Sequence, residues 1–102
     1  MPLLPAAVRG TGSVTGSRVI TSASLDEVHA RPPGTTQGHS GVVSRPWIGP
    51  GQTSSTMATE AIRLALAAAQ AEPADLDAVI VAAAVAEQPM PTTAMLALGH
   101  LG

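Results

Sequence analysis

The apolar residues in the second half of the chain repeat with the period of an α-helix. One face is formed by residues spaced i, i+4 and i+7 or i+8, with further apolar residues beside it: Met57, Ala61, Leu64 (or Ala65) and Ala68, then Ile62, Leu66 and Ala69. The hydroxyl cluster 53–56 precedes this face, and Ser54, Ser55 or Thr56 can accept a hydrogen bond from a first-turn N–H group. Because Pro73 closes the segment, the pattern predicts an amphipathic helix between the cluster and this proline.

Residues 78–85 show a different pattern, since they are apolar without interruption. Such a run, placed after an amphipathic helix and a short connector, is typical of a central parallel strand that is covered on both faces. The run is much shorter than the ~20 apolar residues that a membrane-spanning helix needs. We therefore predict a buried strand here and no membrane association.

The first half of the chain predicts shorter elements. Residues 5–20 predict a strand, a glycine-rich turn and a second extended piece. Ser24 is placed to cap a helix, which a Pro-Pro-Gly sequence then ends. Residues 34–40 are polar and glycine-rich and predict a loop, and residues 41–45 predict a short strand that Pro46 ends.

At the carboxyl end, Thr92 or Thr93 is expected to cap a last helix that ends at Gly99 or Gly102. The alternation of strands and helices predicts an α/β fold with a mostly parallel sheet and covering helices. A strand that is apolar on both faces needs more neighbours than this chain supplies. We therefore expect residues 1–102 to form one segment of a larger sheet, without an internal domain boundary and incomplete as a single chain.

Composition and charge exclude several classes of function. The chain has five Arg or Lys against seven Asp or Glu and a formal charge of −2, so it lacks the basic surface of a nucleic-acid-binding protein. It contains no Cys, which excludes disulfides, thiolate metal sites and a cysteine nucleophile within these residues. The amino terminus has no charged region before its apolar residues, which argues against a secretory signal. We expect a cytoplasmic protein.

The glycines at positions 10, 12 and 16 resemble a dinucleotide-binding loop only superficially. Gly16 is followed by no apolar-periodic helix, which that motif requires. The alternative is that these glycines allow the chain to turn or to pack closely against another segment. We adopt the packing interpretation.

Other candidate nucleophiles and bases are isolated in the sequence. Ser54 and Thr93 are better explained as helix caps than as nucleophiles. No sequence pattern pairs His29, His39 or His100 with a nucleophile or an orienting acid. We therefore assign no catalytic residue and no metal ligand.

A series of short motifs, in order along nearly the whole chain, resembles the amino-terminal segment of the β-ketoacyl-ACP synthase III-like enzymes of the thiolase fold. The motifs are weak singly and specific in their order and spacing: GTGS at 10–13, SLDE at 24–27, SGVVSR at 40–45, QTSSTMA at 52–58, PADLD at 73–77, VIVAA at 79–83 and PTTA at 91–94. The resemblance implies a partial thiolase-like fold and a role in acyl transfer or condensation, in fatty-acid or specialised lipid and polyketide biosynthesis.

In this family a Cys takes the acyl group from coenzyme A, and a His and an Asn assist the reaction. The resemblance places all three beyond Gly102, so the chain alone is expected to be inactive. It implies no cofactor, a coenzyme A thioester as substrate, an acyl carrier protein as partner, and a homodimer.

The resemblance also suggests three substrate-binding positions. The best-known members hold the adenine end of coenzyme A with a Trp and an Arg, and this sequence has Thr35 and His39 at those positions. Trp47 lies after the strand and is not an equivalent, so the donor is expected either to be held differently or not to be a simple coenzyme A ester. Met90 occupies the position that, in the family dimers, crosses the interface and helps to wall the partner's acyl pocket.

Three interpretations of the chain remain open. It is part of a synthase III-like acyltransferase, or one chain of a split thiolase-fold enzyme whose partner chain supplies the catalytic residues, or a small α/β binding module without chemistry. The acyl chain length, the extender unit and the pathway are not encoded in recognisable residues.

Overall fold

A computed structural model describes all residues from 1 to 102. Five helical segments and two strands follow one another: β1 (Arg18–Thr21), α1 (Ser22–Val28), α2 (Thr35–Ser40), β2 (Ser44–Trp47), α3 (Ser54–Ala69), a 3₁₀ turn (Pro73–Asp75) and α4 (Thr93–Leu101). The chain divides into two compact units. We call Thr15–Gln52 the hairpin unit, and Met1–Val14 together with Thr53–Gly102 the α3 unit.

The sheet of the hairpin unit has two antiparallel strands, β1 and β2. The pairing sets Val19 opposite Pro46 and Ile20 opposite Arg45. The predicted strand at 41–45 is therefore displaced to Ser44–Trp47, and Pro46 lies within it instead of ending it. Each strand of a two-stranded sheet is an edge, so a residue without an N–H donor is tolerated there.

Helices α1 and α2 lie between the two strands in the sequence, with α1 directly after β1 and α2 before β2. The side chain of Thr21 caps α1 by accepting from the Ser24 N–H, so the predicted cap at Ser24 is wrong. The predicted loop at 34–40 is also wrong, because Thr35–Ser40 forms α2. Gly34 and Gly41 bound α2 with φ values of 89° and 70°, which lie in the left-handed region that favours glycine.

Helix α3 begins where the hydroxyl cluster predicts it, but the cap is Thr53. Thr53 and Thr56 form a reciprocal capping box, in which each side chain accepts from the other's backbone N–H. The helix ends at Ala69, before Pro73, because Gln70 takes a left-handed conformation with φ 55°.

The buried residues of α3 are Ser55, Thr59 and Leu66, whereas Leu64 and Ala68 of the predicted apolar face are exposed. The buried face is therefore rotated from the predicted one. Hydrogen bonds make this possible, since the Thr59 hydroxyl donates to the Ser55 carbonyl at 2.7 Å and a buried hydroxyl needs such a partner.

Helix α4 packs against α3 and forms the core of the α3 unit. Thr92 caps it by accepting from the Met95 N–H, which confirms one of the two predicted caps. Ala97 of α4 is fully buried, and its carbonyl oxygen lies 3.5 Å from the Thr59 hydroxyl. A small side chain at this point allows the two helices to approach closely.

The parallel pairing expected for residues 78–85 is not formed within this chain, whose sheet is the antiparallel β1–β2 pair. Val79 and Val81 are half-buried, whereas Ile80 is 93% exposed and residues 82–85 are all exposed, so the predicted burial of this run on both faces is not found within this chain. A strand ladder needs a hydrogen-bonded neighbour on at least one side, and none is present next to this segment.

The glycine-rich segment near the amino terminus lies directly against α3, as the packing interpretation predicts. A Cβ atom on Gly10 would lie 2.4 Å from the Ala65 carbonyl oxygen, and one on Gly12 would lie 2.4 Å from that of Ala61. Strand β1, not a helix, follows Gly16.

The longest helix, α3, has 16 residues, and none of the helices combines the length and apolarity needed to cross a bilayer.

Candidate functional site

Two of the three predicted substrate-binding residues, Thr35 and His39, lie on α2. They are separated by four positions, so they share one face of this short helix. Thr35 is half-buried, and its hydroxyl donates to the Pro32 carbonyl at 2.6 Å. His39 is exposed in the last turn. The structure therefore offers one engaged hydroxyl and one free imidazole on the same surface.

A buried carboxylate on α1, Asp26, holds the amino-terminal end of α2. Asp26 is 3% exposed and accepts hydrogen bonds from the Gly34 N–H at 3.0 Å, the Thr36 N–H at 3.0 Å and the Thr36 hydroxyl at 2.6 Å. The Thr36 hydroxyl is the main cause that lowers the pKa of Asp26, the backbone N–H groups and the Arg31 charge lower it further, and burial opposes them. Sequence analysis missed this role.

An open groove of about 390 Å³ lies beside this anchor, between α1 and the turn that leads to α2. Ser24, Glu27 and Arg31 are among its lining residues. The Arg31 guanidinium also donates to the Thr36 hydroxyl at 3.4 Å. The groove thus places one cation, Arg31, and two carboxylates, Asp26 and Glu27, beside the turn that leads to α2.

A second buried hydroxyl, Ser22, ties α1 to the segment before β2. Its backbone N–H donates to the Val43 carbonyl at 2.8 Å, and its hydroxyl donates to the Val42 carbonyl. The Arg45 guanidinium donates to the Ser22 hydroxyl at 2.8 Å, while the buried Arg45 Nε has no partner. These contacts fix Arg45, the last residue of the SGVVSR motif.

The third predicted residue, Met90, lies in the α3 unit and is 71% exposed. Its carbonyl accepts from the Gln88 side chain at 2.9 Å, and that amide lies 3.5 Å from the Pro91 carbonyl. The Met90–Pro91 peptide bond is cis. Prolines on both sides restrict the backbone of Met90.

A polar cluster at the start of α3 joins three segments of the α3 unit. The Glu87 carboxylate accepts from the Ser55 N–H at 2.8 Å, and the Ser55 hydroxyl lies 3.3 Å from the His100 Nε2 atom. The Arg63 guanidinium donates to the His100 carbonyl at 2.7 Å. The structure thus places His100 beside a hydroxyl, a contact that no spacing in the sequence indicated.

This cluster does not have the geometry of a nucleophilic triad. Ser55 is only 1% exposed, so a substrate carbonyl has no path to its hydroxyl. The carboxylate of Glu87 binds the Ser55 backbone instead of orienting the His100 imidazole. No group of three or more His, Asp or Glu side chains converges as a metal site requires.

Comparison with known proteins finds synthase III proteins both by sequence and by structure. No protein-family model matches the chain. The "Beta-ketoacyl-[acyl-carrier-protein] synthase III" of Nitratidesulfovibrio vulgaris (strain DP4) is 33% identical over 98 residues, which are 96% of this chain and 30% of that protein. The protein of the same name from Rhizorhabdus wittichii is 35% identical over 97 residues, 95% of this chain and 30% of its own.

The crystal structure of 3-oxoacyl-[acyl-carrier-protein] synthase III from Aquifex aeolicus VF5 superposes with a TM-score of 0.80 at 28% identity. The match covers 90% of this chain and 30% of the Aquifex chain. The chain is similar to the amino-terminal segment of synthase III. The predicted partial thiolase-like α/β fold is thereby confirmed. The chain spans about 30% of the length of the synthase III relatives described above.

Proposed function

We propose that this chain is the substrate-positioning, amino-terminal part of a β-ketoacyl-ACP synthase III-like acyltransferase, a cytoplasmic enzyme of fatty-acid or specialised lipid biosynthesis. The observation that carries the proposal is the agreement of sequence and fold, 33% identity over 96% of the chain and a TM-score of 0.80 with a synthase III structure. The chain holds no Cys, so the thioester chemistry requires a cysteine outside these 102 residues.

We propose further that α2 contributes to the site of an acyl-coenzyme A donor. The exposed imidazole of His39 and the guanidinium of Arg31, which contacts Thr36 of the same helix, are suited to hydrogen bonds with a phosphate or a nucleobase. Neither Thr35 nor His39 offers the large stacking surface of a Trp. The donor is therefore held mainly by hydrogen bonds. The Asp26 carboxylate supports this surface because it fixes the start of α2.

The proposed whole enzyme takes its second substrate from an acyl carrier protein and works as a homodimer, with the exposed Met90 at the wall of the acyl pocket. An alternative is a split enzyme in which a second chain carries the catalytic residues. Both arrangements use this chain in the same way, and both predict that it is inactive without those residues.

The experiment that tests the function is a chimera. Residues 1–102 replace the corresponding segment of the Aquifex aeolicus synthase, which supplies the remaining part. We expect purified chimera to form a covalent thioester with radiolabelled acyl-coenzyme A and to release a condensed product with loaded carrier protein. The isolated chain, which has no Cys, is expected to do neither.

Two controls make this result decisive. A chimera whose catalytic cysteine is replaced by alanine must lose the label. If a soluble, cooperatively unfolding chimera takes no label, the proposed function is wrong. Stoichiometric labelling of the isolated chain would also contradict it, because no thiol is available there.

Met90→Trp in the chimera is expected to shift the acyl-chain preference toward shorter substrates. The position is exposed in this chain, so a larger side chain adds bulk at the pocket wall without disturbing the core. The ratio of kcat/KM for short and long acyl-coenzyme A measures the shift. Leu98→Trp serves as a control, since Leu98 is 47% exposed on α4. An unchanged ratio together with a lower melting temperature would mean that Met90 packs in a core.

A further inference from the structure

Met90 lies in the segment 87–92, and Glu87, at the first end of this segment, anchors it to α3. The Glu87 carboxylate accepts from the Ser55 N–H at 2.8 Å, across 32 positions of sequence. This N–H is one of the first-turn groups that have no partner inside α3. A carboxylate at a helix amino terminus also interacts favourably with the helix dipole. Glu87 therefore satisfies a group of α3 that the helix itself cannot satisfy.

The second end of the segment is anchored to α4. The Thr92 hydroxyl accepts from the Met95 N–H at 3.3 Å, and Thr93 is 6% exposed. Because α3 and α4 pack against each other, both ends of the segment are attached to one packed pair of helices. Between the ends, Gln88 holds the Met90 carbonyl at 2.9 Å. The Met90 side chain nevertheless remains 71% exposed.

We propose that Glu87 is a positioning residue, whose bond to the Ser55 N–H fixes where the Met90 side chain is presented. In the assembled enzyme, and resting on the function proposed above, Glu87 thereby sets the acyl-chain selectivity through Met90 without touching substrate. Without the carboxylate, the Ser55 N–H loses its partner and the first end of the segment is free. The bond between Gln88 and Met90 then stabilises only the turn itself.

The charges around this bond favour the ionised carboxylate. Hydrogen bonds from the Ser55 hydroxyl and backbone, and from Thr53, lower the pKa of Glu87, and the charge of His100 on α4 adds to them against an opposing effect of burial. Arg63 of α3 is the other charged group here and donates to the His100 carbonyl. The anchor is therefore present at neutral pH and weakens when Glu87 is protonated.

The first test measures Met90 itself in the full 102-residue chain. The chain has four Met residues, so ¹³C-methyl labelling gives few signals, and Met90→Leu identifies the relevant one. We expect Glu87→Ala to shift and sharpen the Met90 signal. Glu87→Gln should change the signal less, because an amide oxygen still accepts a hydrogen bond. The control Glu60→Ala, on the exposed side of α3, should leave the signal unchanged. The wild-type Met90 signal should titrate with a midpoint below 4.5, the ordinary pKa of Glu, and this titration should disappear in Glu87→Gln.

The second test uses the chimera. Glu87→Ala should reduce the ratio of kcat/KM between preferred and non-preferred acyl-coenzyme A several-fold while kcat for the shortest donor stays nearly constant, and Glu87→Gln should restore part of the ratio. A Met90 methyl signal that is unchanged in a folded Glu87→Ala chain overturns the proposal, as does an active chimera whose ratio is unchanged. An inactive wild-type chimera together with a Met90 signal that responds to Glu87 contradicts the proposed function alone and supports the positioning role.

Discussion

Gly12→Ala is expected to destabilise the α3 unit strongly. The added methyl group would lie 2.4 Å from the Ala61 carbonyl oxygen and 2.7 Å from both the Ala65 nitrogen and the Leu64 Cβ atom. Two of these atoms belong to the backbone of α3, so the helix and the amino-terminal segment must separate. Overpacking of this kind costs about 1–3 kcal/mol, and the backbone contact places Gly12 at the upper end. For a chain of this length, the melting temperature should fall by roughly 10 °C or more.

Gly99→Ala is the matched control in the same unit. Gly99 lies within α4, has no atom within 4 Å of an added Cβ, and does not have a positive φ. Alanine is favoured over glycine inside a helix by about 1 kcal/mol, so this variant should be more stable than the wild type. Thermal unfolding followed by circular dichroism measures both. Equal effects of the two substitutions would mean that the glycine-rich segment does not lie against α3 in solution.

Helices α3 and α4 could be predicted from the sequence, because the residues that cap them stand directly before them in the chain. The hydroxyl cluster located the start of α3, although Thr53 and not its neighbours forms the cap. Thr92 was among the predicted caps of α4. Side-chain capping is a local interaction within a few residues, so its pattern is visible in a single sequence.

The elements that the sequence did not predict depend on contacts between distant residues. The polar segment Thr35–Ser40 forms α2 because Asp26, ten positions before Thr36, accepts from its N–H group. The buried face of α3 is rotated from the one that the apolar period predicts, because Ser55 and Thr59 are buried with hydrogen-bond partners, although Leu66 of the predicted apolar residues is buried as well. An average preference for apolar burial cannot anticipate a polar group whose partner lies elsewhere in the chain.

The candidate site divides in the same way. The positions of Thr35, His39 and Met90 came from the resemblance to the family, and their roles remain predictions. The structure adds what holds them: Asp26 for α2 and Glu87 for the segment of Met90. Glu87 and Ser55 are 32 positions apart, so no spacing rule connects them. Asp26 lies in the helix that is predicted after Ser24, but an acidic residue in a helix does not by itself indicate a hydrogen-bond donor ten positions away.

Asp26→Asn is expected to lower the stability of the hairpin unit at neutral pH by several degrees in melting temperature. The amide has one oxygen, which can still accept from the N–H and hydroxyl groups of Thr36. Its NH₂ group would then face the Gly34 N–H, which now donates to the second carboxylate oxygen at 3.0 Å. Two donors in contact leave Gly34 without a partner, and a buried unsatisfied donor is costly.

The difference between the wild type and Asp26→Asn should depend on pH in a defined direction. Three hydrogen bonds to the carboxylate lower the pKa of Asp26 from its ordinary value of 3.8 in the folded chain. The charged carboxylate therefore contributes its full stability above 3.8, and this contribution is lost as the pH falls through the lower, folded-state pKa. The wild type should approach the variant in stability as the solution is acidified, and separate from it again on return to neutral pH.

Urea unfolding of both chains over this pH range measures the effect, with Glu27→Gln as the matched control on the exposed side of α1. Glu87, whose pKa is also lowered, contributes equally to both chains, so its titration cancels in the difference. If the difference in free energy of unfolding between the wild type and Asp26→Asn is constant with pH, the shape of the side chain, and not its charge, determines the stability at this position. If Asp26→Asn lowers the free energy of unfolding no more than Glu27→Gln does, Asp26 does not hold α2. Nothing in the hairpin unit would then fix the helix that carries Thr35 and His39.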